Sequence, residues 1–196
     1  AKPRIIIIRN RARAETWRFN HQSINNCIGM IQLNNTTSYN TTGTTLMNVA
    51  PTSSVFSVST DWSVNGNYPF IAYCWAEKQG YSKFGSYKGT GAANGPFVYT
   101  GFKPAFILFK KSSDAGDNWM MYDHKRPGYN VTNKAYHPNS NAAEYTNANA
   151  NLDILSNGFK LRSSFGWVNQ NTHTYMYMAF AESPFVTSTG IPTTAR

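Results

Sequence analysis

Pro3-Arg4-Ile5-Ile6-Ile7-Ile8-Arg9 returns in kind as Pro104-Ala105-Phe106-Ile107-Leu108-Phe109-Lys110. Each stretch opens on proline, runs through branched or aromatic side chains and closes on a base. A tryptophan follows each, Trp17 and Trp119. Further blocks match in the same order. Phe56-Ser57-Val58 corresponds to Phe159-Lys160-Leu161, and Val64-Asn65 to Val168-Asn169. Phe70-Ile71-Ala72-Tyr73-Cys74-Trp75-Ala76-Glu77 corresponds to Tyr175-Met176-Tyr177-Met178-Ala179-Phe180-Ala181-Glu182. The offset drifts from 101 to 105, as unequal loops require. Self-similarity of this kind is the signature of repeated supersecondary units. The chain therefore reads as two related units in tandem.

The two units do not start alike. Gly80-Tyr81-Ser82-Lys83-Phe84-Gly85-Ser86-Tyr87, a Gly-rich turn and Phe97-Val98-Tyr99-Thr100 precede the second copy. The expected division is 1–79 for the first unit and 80–196 for the second, with a lead-in hairpin at 81–100. The first copy lacks that lead-in, so the sequence is expected to begin inside a longer protein. One continuous two-layer body is expected rather than two beads on a linker.

Composition sets the class. Of 196 residues, 41% are hydrophobic and 15% aromatic, enough for a core. Asn, Thr, Ser and Gly abound, and these favour turns and strands over helix. Strands are expected at 4–9, 16–20, 28–33, 54–59, 68–76, 81–87, 96–100, 105–111, 118–122, 152–155, 158–163 and 174–181. Several alternate with period two, as half-buried strands do. Residues 110–119 read as a hairpin. Leu155-Ser156-Asn157-Gly158-Phe159 reads as a tight one, with Asn-Gly in the positive-φ positions. Residues 34–50 and 128–150 read as long surface loops, with a short helix allowed in 139–147. The fold class is all-β, a β-sandwich of jelly-roll-like arrangement built from the two tandem units.

Charge and thiols bound the partners. There are 18 Lys+Arg against 9 Asp+Glu, a formal net charge of +9. Six bases precede residue 19, and Arg9, Arg11, Arg13 and Arg18 form a candidate basic contact patch. The plainer reading is a solvated strand edge and hairpin tip. Cys27 and Cys74 are too few for a disulfide framework and read as buried free thiols, with a single bridge as the alternative. No apolar run reaches the ~20 residues of a membrane-spanning helix, and no membrane partner is expected.

Catalytic and metal signals are sparse. His21, His124, His137 and His173 show no zinc-type spacing, and no CxxC is present. Glu77 and Glu182 share a repeat position and invite a two-carboxylate glycosidase reading. Matching positions in a duplicated fold match for structural reasons, so strand-end hydrogen bonding is preferred. Asp114-Ala115-Gly116-Asp117-Asn118 resembles a loose Ca²⁺ loop, but the basic first-copy counterpart shows that the turn does not need its aspartates. Gly89–Gly95 lacks the Lys-Ser/Thr and helix of a phosphate loop and reads as a flexible turn. No catalytic, metal or cofactor residue is assigned, and no cofactor is expected. Loop aromatics remain: Trp62, Tyr68, Trp167, Tyr129, Tyr136 and Tyr145. Aromatic faces stack on sugars and bases alike.

Residues 73–87, Gly95-Pro96-Phe97 through Phe106, Leu155–Lys160 and Ala179–Phe185 together resemble a domain of unknown function. That domain recurs in tail-fibre-like and other structural proteins of marine and aquatic bacteriophages. The resemblance implies a non-enzymatic virion protein located on the extracellular phage particle, often the C-terminal part of a longer chain beside lectin-like modules, and carries no catalytic residues. The basic Arg9–Arg18 segment departs from the pattern and favours a charged contact with a neighbouring chain. Three functions follow as expectations. The first is a tail-fibre or surface adhesin contacting host-surface glycans. The second is an architectural capsid-decoration or tail protein binding neighbouring virion chains through its basic face. The third is a polysaccharide depolymerase. A homo-oligomer, a trimer by the fibre resemblance, is expected. No nucleic-acid reading motif is present.

Overall fold

The computed structural model describes residues 1–40 and 47–183. Among them nearly all the regular structure is strand. In order these are β1 (Ile5–Asn10), β2 (Arg18–His21), β3 (Met30–Gln32), β4 (Phe70–Trp75), β5 (Ser82–Lys88), β6 (Phe97–Tyr99) and β7 (Pro104–Lys111). There follow β8 (Met120–Asp123), β9 (Lys134–Ala135), β10 (Tyr145–Thr146), β11 (Leu152–Leu155), β12 (Gly158–Leu161) and β13 (Thr174–Ala181). Two single helical turns, α1 (Trp62–Asn65) and α2 (Gly166–Asn169), interrupt them. The protein is all-β, as its turn- and strand-forming composition implies.

Every sheet is antiparallel. One four-stranded sheet runs β3-β2-β1-β4 and a second β5-β13-β7-β8, with a three-stranded β11-β12-β6 and a two-stranded β10-β9 beside them. The isoleucine run of β1 does not alternate with polar residues, because both its faces are covered. Ile5 and Ile7, with Phe19 and Ile31, pack against Phe84, Leu108, Trp119, Met176 and Met178 of the second sheet. Ile6 and Ile8 turn the other way, onto Met47, Val64, Phe56 and Val58. β7 from Pro104 to Phe109 and β13 from Tyr175 to Ala181 are apolar for the same reason. Ile107, Phe109, Tyr175 and Tyr177 pack with Val98, Leu152, Ile154, Phe159 and Leu161 on the far side. The second sheet is thus enclosed between the first sheet and β11-β12-β6. The expected two layers are exceeded, because the apolar run of β13 has two faces to bury.

The pairings of the two four-stranded sheets follow the repeated sequence. Ile8 faces Ala72 and Arg18 across its sheet, while Phe109 faces Tyr177 and Met120. Ile5 faces Trp75 and His21, and Phe106 faces Phe180 and Asp123. Val64 in α1 and Val168 in α2 are both buried.

Several expectations are corrected. Residues 54–59 form no strand; Phe56 and Val58 cover Ile6 and Ile8 as an unpaired segment. Residues 81–100 are not a hairpin, since β5 joins β13 and β6 joins β12. Residues 139–147 hold no helix; the nearest is a short turn at Ala148–Ala150, capped by the Asn147 side chain, which accepts from Asn149 N at 2.8 Å. The Gly89–Gly95 loop is strapped rather than loose. Asn169 accepts from Thr90 N at 2.8 Å and donates to Ala92 O at 2.7 Å. Cys27 and Cys74 are both free. Cys27 is buried, which pushes its thiol up to about 12, but Cys74 is exposed.

Gly158 corrects the reading of its hairpin. The turn is Ser156–Asn157, and neither Asn157 nor Gly158 has a positive φ. Glycine is needed because a Cβ at 158 would lie 2.1 Å from the Val98 carbonyl oxygen of β6. Backbone cannot yield as a side-chain tip can. Gly158→Ala is therefore expected to cost about 1–3 kcal/mol as an overpacked site, read as a lowered urea midpoint. An unchanged midpoint would mean that β6 does not lie against β12.

Candidate ligand-binding surface

The first sheet positions the exposed aromatics. β1 ends at Asn10, whose Oδ1 accepts from Ala12 N at 2.9 Å and Arg13 N at 3.1 Å. This side-chain-capped turn projects Arg11 and Arg13 into solvent. Arg11 N donates to Pro69 O at 2.9 Å, which fixes the turn beside the start of β4. On the other side, Asp61 caps α1 by accepting from Ser63 N at 2.8 Å. Gly66 then folds the chain back; a Cβ there would lie 2.7 Å from Trp62 O. Trp62 and Tyr68 consequently flank one small loop and meet Arg13. Arg13 Nη1 donates to Tyr68 OH at 3.0 Å, and its guanidinium carbon stands 5.3 Å from each ring centroid. Trp62 stays 50% exposed and Tyr68 42%. Exposed cation–π contacts of this kind contribute about 0.5–1 kcal/mol each, enough to hold two rings and a charge together at a surface.

The remaining candidates lie elsewhere. Arg9 and Arg18 do not extend the Arg11–Arg13 surface. Arg9 shares the Ile5/Ile7 face and sits 5.5 Å over Trp17, whereas Arg18 faces Ile8 and so lies on the opposite face. Period-two alternation divides what the sequence lists side by side. Tyr129 is 82% exposed, beside a shallow depression lined by Lys103, His124, Asn130 and Thr132. Tyr136 lies under the Arg126 guanidinium at 3.7 Å, and that arginine pairs with Asp123 and Glu144. Trp167 is a packing residue, 5.1 Å from Phe165, 5.2 Å from His137 and 5.4 Å from Tyr145.

One group escaped sequence reasoning. Trp17, Tyr73 and Trp75 form an aromatic ladder along the first sheet, with centroids 6.4 and 6.0 Å apart and planes within 25°. Tyr73 and Trp75 are two apart on a strand, which places them on one face. That spacing was the available signal.

The acidic residues that the sequence singles out are engaged. Glu77 Oε1 accepts from Phe84 N at 2.8 Å and Gln22 Nε2 at 3.2 Å, and pairs with Lys83 at 3.4 Å. Glu182 pairs with Lys125 at 2.8 Å and His124 at 3.3 Å. The hydrogen bond from Lys125 holds the Glu182 carboxyl below its usual range. Asp114 and Asp117 both pair with Lys111. Among the described residues no group of three or more His, Cys, Asp or Glu is placed to hold a metal, and no helix is long and apolar enough to cross a membrane.

No curated protein and no solved structure matches this chain. Residues 1–184 match the model of a family described as a domain of unknown function (DUF7483), and the chain belongs to that family.

Proposed function

We propose that this chain is a non-enzymatic module of a bacteriophage virion, displayed on the particle surface, that contacts host-surface glycans through Arg13, Trp62 and Tyr68. On this reading two related tandem units supply the two four-stranded sheets of a β-sandwich. The matching registers of β1 with β4 and of β7 with β13 support the duplication. The observation that carries the function is the arginine-pinned aromatic pair. A pyranose ring presents C–H groups that pack on an aromatic face, while its hydroxyls need donors and acceptors. Asn65 and Asn67, exposed on the same loop, supply both. Arg11 and Arg13 favour a glycan bearing carboxylate, sulfate or phosphate. The engagement of Glu77 and Glu182 with neighbouring bases supports a binding rather than a hydrolytic role.

A glycan array followed by calorimetric titration of the best hit tests this. Trp62→Ala is expected to weaken binding about 10-fold, the equivalent of about 1.4 kcal/mol, while lowering the thermal midpoint by no more than about 2–4 °C, the loss of one surface cation–π contact. An array with no hit, or a hit indifferent to Trp62→Ala, ends the glycan reading. A second reading, an architectural virion protein joined to neighbouring chains, is favoured by a separate observation: β4 leaves Ile71, Ala72, Tyr73 and Cys74 exposed.

A further inference from the structure

β4 is the last strand of its sheet among the described residues. In an antiparallel ladder successive residues aim their N–H and C=O groups to alternate sides. The Arg11 N to Pro69 O hydrogen bond sets the phase, and the register Arg9–Ile71, Ile7–Tyr73, Ile5–Trp75 continues it. Ile71, Tyr73 and Trp75 therefore bond to β1, and Phe70, Ala72 and Cys74 aim their backbone groups away from it. Natural edge strands are blunted by lysine, proline or a bulge. β4, Phe70-Ile71-Ala72-Tyr73-Cys74-Trp75, has no charge and no proline.

The second sheet shows what such an edge accepts. β13 pairs with β7 in the register that β4 keeps with β1, and β5 covers its far side, Tyr175 opposite Tyr87, Tyr177 opposite Gly85 and Ala179 opposite Lys83. Met176 to Ala179 are buried there, whereas the corresponding Ile71 to Cys74 are exposed. A strand laid on β4 in the register of β5 would set aromatic positions beside Phe70 and Tyr73.

Charge selects the source of that strand. Exposed Arg11 and Arg13 stand at the start of β4; exposed Lys78 follows its end by three residues, and exposed Lys2 precedes Arg4, whose N–H meets Trp75 O there. Glu77, the acid nearest that end in sequence, is committed to Phe84, Gln22 and Lys83. Two copies at +9 each repel one another. The geometry points to β4 as a strand acceptor. It takes an extended antiparallel segment of a different polypeptide, aromatic or branched in its middle and carboxylate-bearing at its ends. Sheet-edge addition of this kind draws affinity from main-chain hydrogen bonds and specificity from alternate side chains. The inference does not rest on the glycan reading: Arg13 borders both surfaces, and Trp62→Ala, which leaves its charge in place, is expected to spare strand binding.

Hydrogen exchange of the full chain tests it, with a synthetic peptide of residues 81–89 carrying Lys83→Asp and Lys88→Asp. The Ala72 and Cys74 amides are expected to exchange fast in the chain alone and at least 10-fold more slowly with peptide. Alkylation of the exposed Cys74 thiol should slow in parallel. The same peptide with its lysines retained should bind about 10-fold more weakly at low salt. Ala72→Pro removes the outward N–H at an edge position that tolerates proline and should abolish protection. Ile71→Lys, which adds an edge charge at an exposed site, should weaken it where the proline variant does not fold. Three results would overturn the proposal. One is an Ala72 amide already protected in the chain alone. Another is protection that rises with protein concentration without peptide, which would mean a second copy. The last is protection indifferent to peptide charge and to both substitutions.

Discussion

Trp119→Ala is expected to lower the stability of the protein by about 3–5 kcal/mol, the range for deleting a fully buried tryptophan. Trp119 is 1% exposed and lies between the two four-stranded sheets. Its ring stands 5.0 Å from Phe19 of the first sheet, and its Nε1 donates to Gln32 O at 3.0 Å, at the end of β3. Its backbone N–H donates to Asn139 Oδ1 at 2.9 Å, so the residue also anchors the long 124–151 segment. Alanine leaves both a cavity and an unpaired Gln32 carbonyl. Trp119→Phe separates the two, restoring most of the volume but not the donor, and should retain about 1–3 kcal/mol of the loss. Trp17 follows the first Pro-led run as Trp119 follows the second, but it is only half-buried, with Arg9 over its ring. Trp17→Ala should therefore cost less than half as much. Urea denaturation of the three variants checks the order. A loss for Trp119→Ala no larger than that for Trp17→Ala would mean that the two sheets do not meet at this residue.

That contrast between the two tryptophans explains what could be read from the sequence. Composition and the Pro-led apolar runs of β1 and β7 suffice for an all-β assignment, because an apolar run of four to eight residues bounded by turn residues carries its own signal. What failed depends on contacts far along the chain. Cys74 reads as buried because its strand resembles β13, yet burial there depends on whether a neighbour such as β5 lies alongside. Gly158 reads as a turn glycine because its neighbours are Ser156 and Asn157, yet its constraint comes from β6, sixty residues earlier in sequence. Residues 54–59 alternate as a strand does and half-bury Phe56 and Val58, but their backbone joins no sheet among the described residues.

The candidate surface was legible one residue at a time. Trp62 and Tyr68 stand out as loop aromatics, and Arg13 as part of a basic run. Nothing local joins them, since Arg13 and Tyr68 are 55 residues apart. The antiparallel register of β1 and β4 folds their two loops to the same end of the sheet. The register of β1 with β2, which sets Arg18 opposite Ile8, puts Arg9 and Arg18 on opposite faces, so a second pairing disperses what the sequence lists together. Side chains held by neighbours of opposite charge, as Tyr136 is indirectly through Arg126, Asp123 and Glu144, are less free to receive a ligand than Trp62.

Acidification should weaken the fold through His21 before the carboxylates contribute. His21 is fully buried, stacked 6.2 Å from Phe19. Its Nδ1 accepts from Ser23 N at 3.1 Å, and its Nε2 donates to Tyr177 O at 3.0 Å. A backbone N–H can only donate, so Nδ1 is the bare nitrogen and the ring is neutral. Burial lowers its pKa from 6.5 to about 4, and the Tyr177 hydrogen bond and the Glu77 charge only partly oppose this. Above pH 6.5 the ring is neutral whether the chain is folded or not, and the contribution to stability is complete. As the pH falls from 6.5 toward 4, the unfolded chain takes up a proton that the folded chain refuses. Stability then declines by up to about 1.4 kcal/mol per pH unit. The total loss approaches about 3 kcal/mol, of which about 2 kcal/mol falls between pH 7 and pH 5. Glu182, held low by Lys125, begins to matter only below its ordinary value of 4.5. Unfolding free energies measured in urea at successive pH values check the course. His21→Gln keeps a donor for Tyr177 but has nothing to titrate, and should flatten the profile above pH 5. If the variant keeps the slope of the parent chain, another group is the titrating one and the neutral imidazole between the sheets is not what acid attacks first.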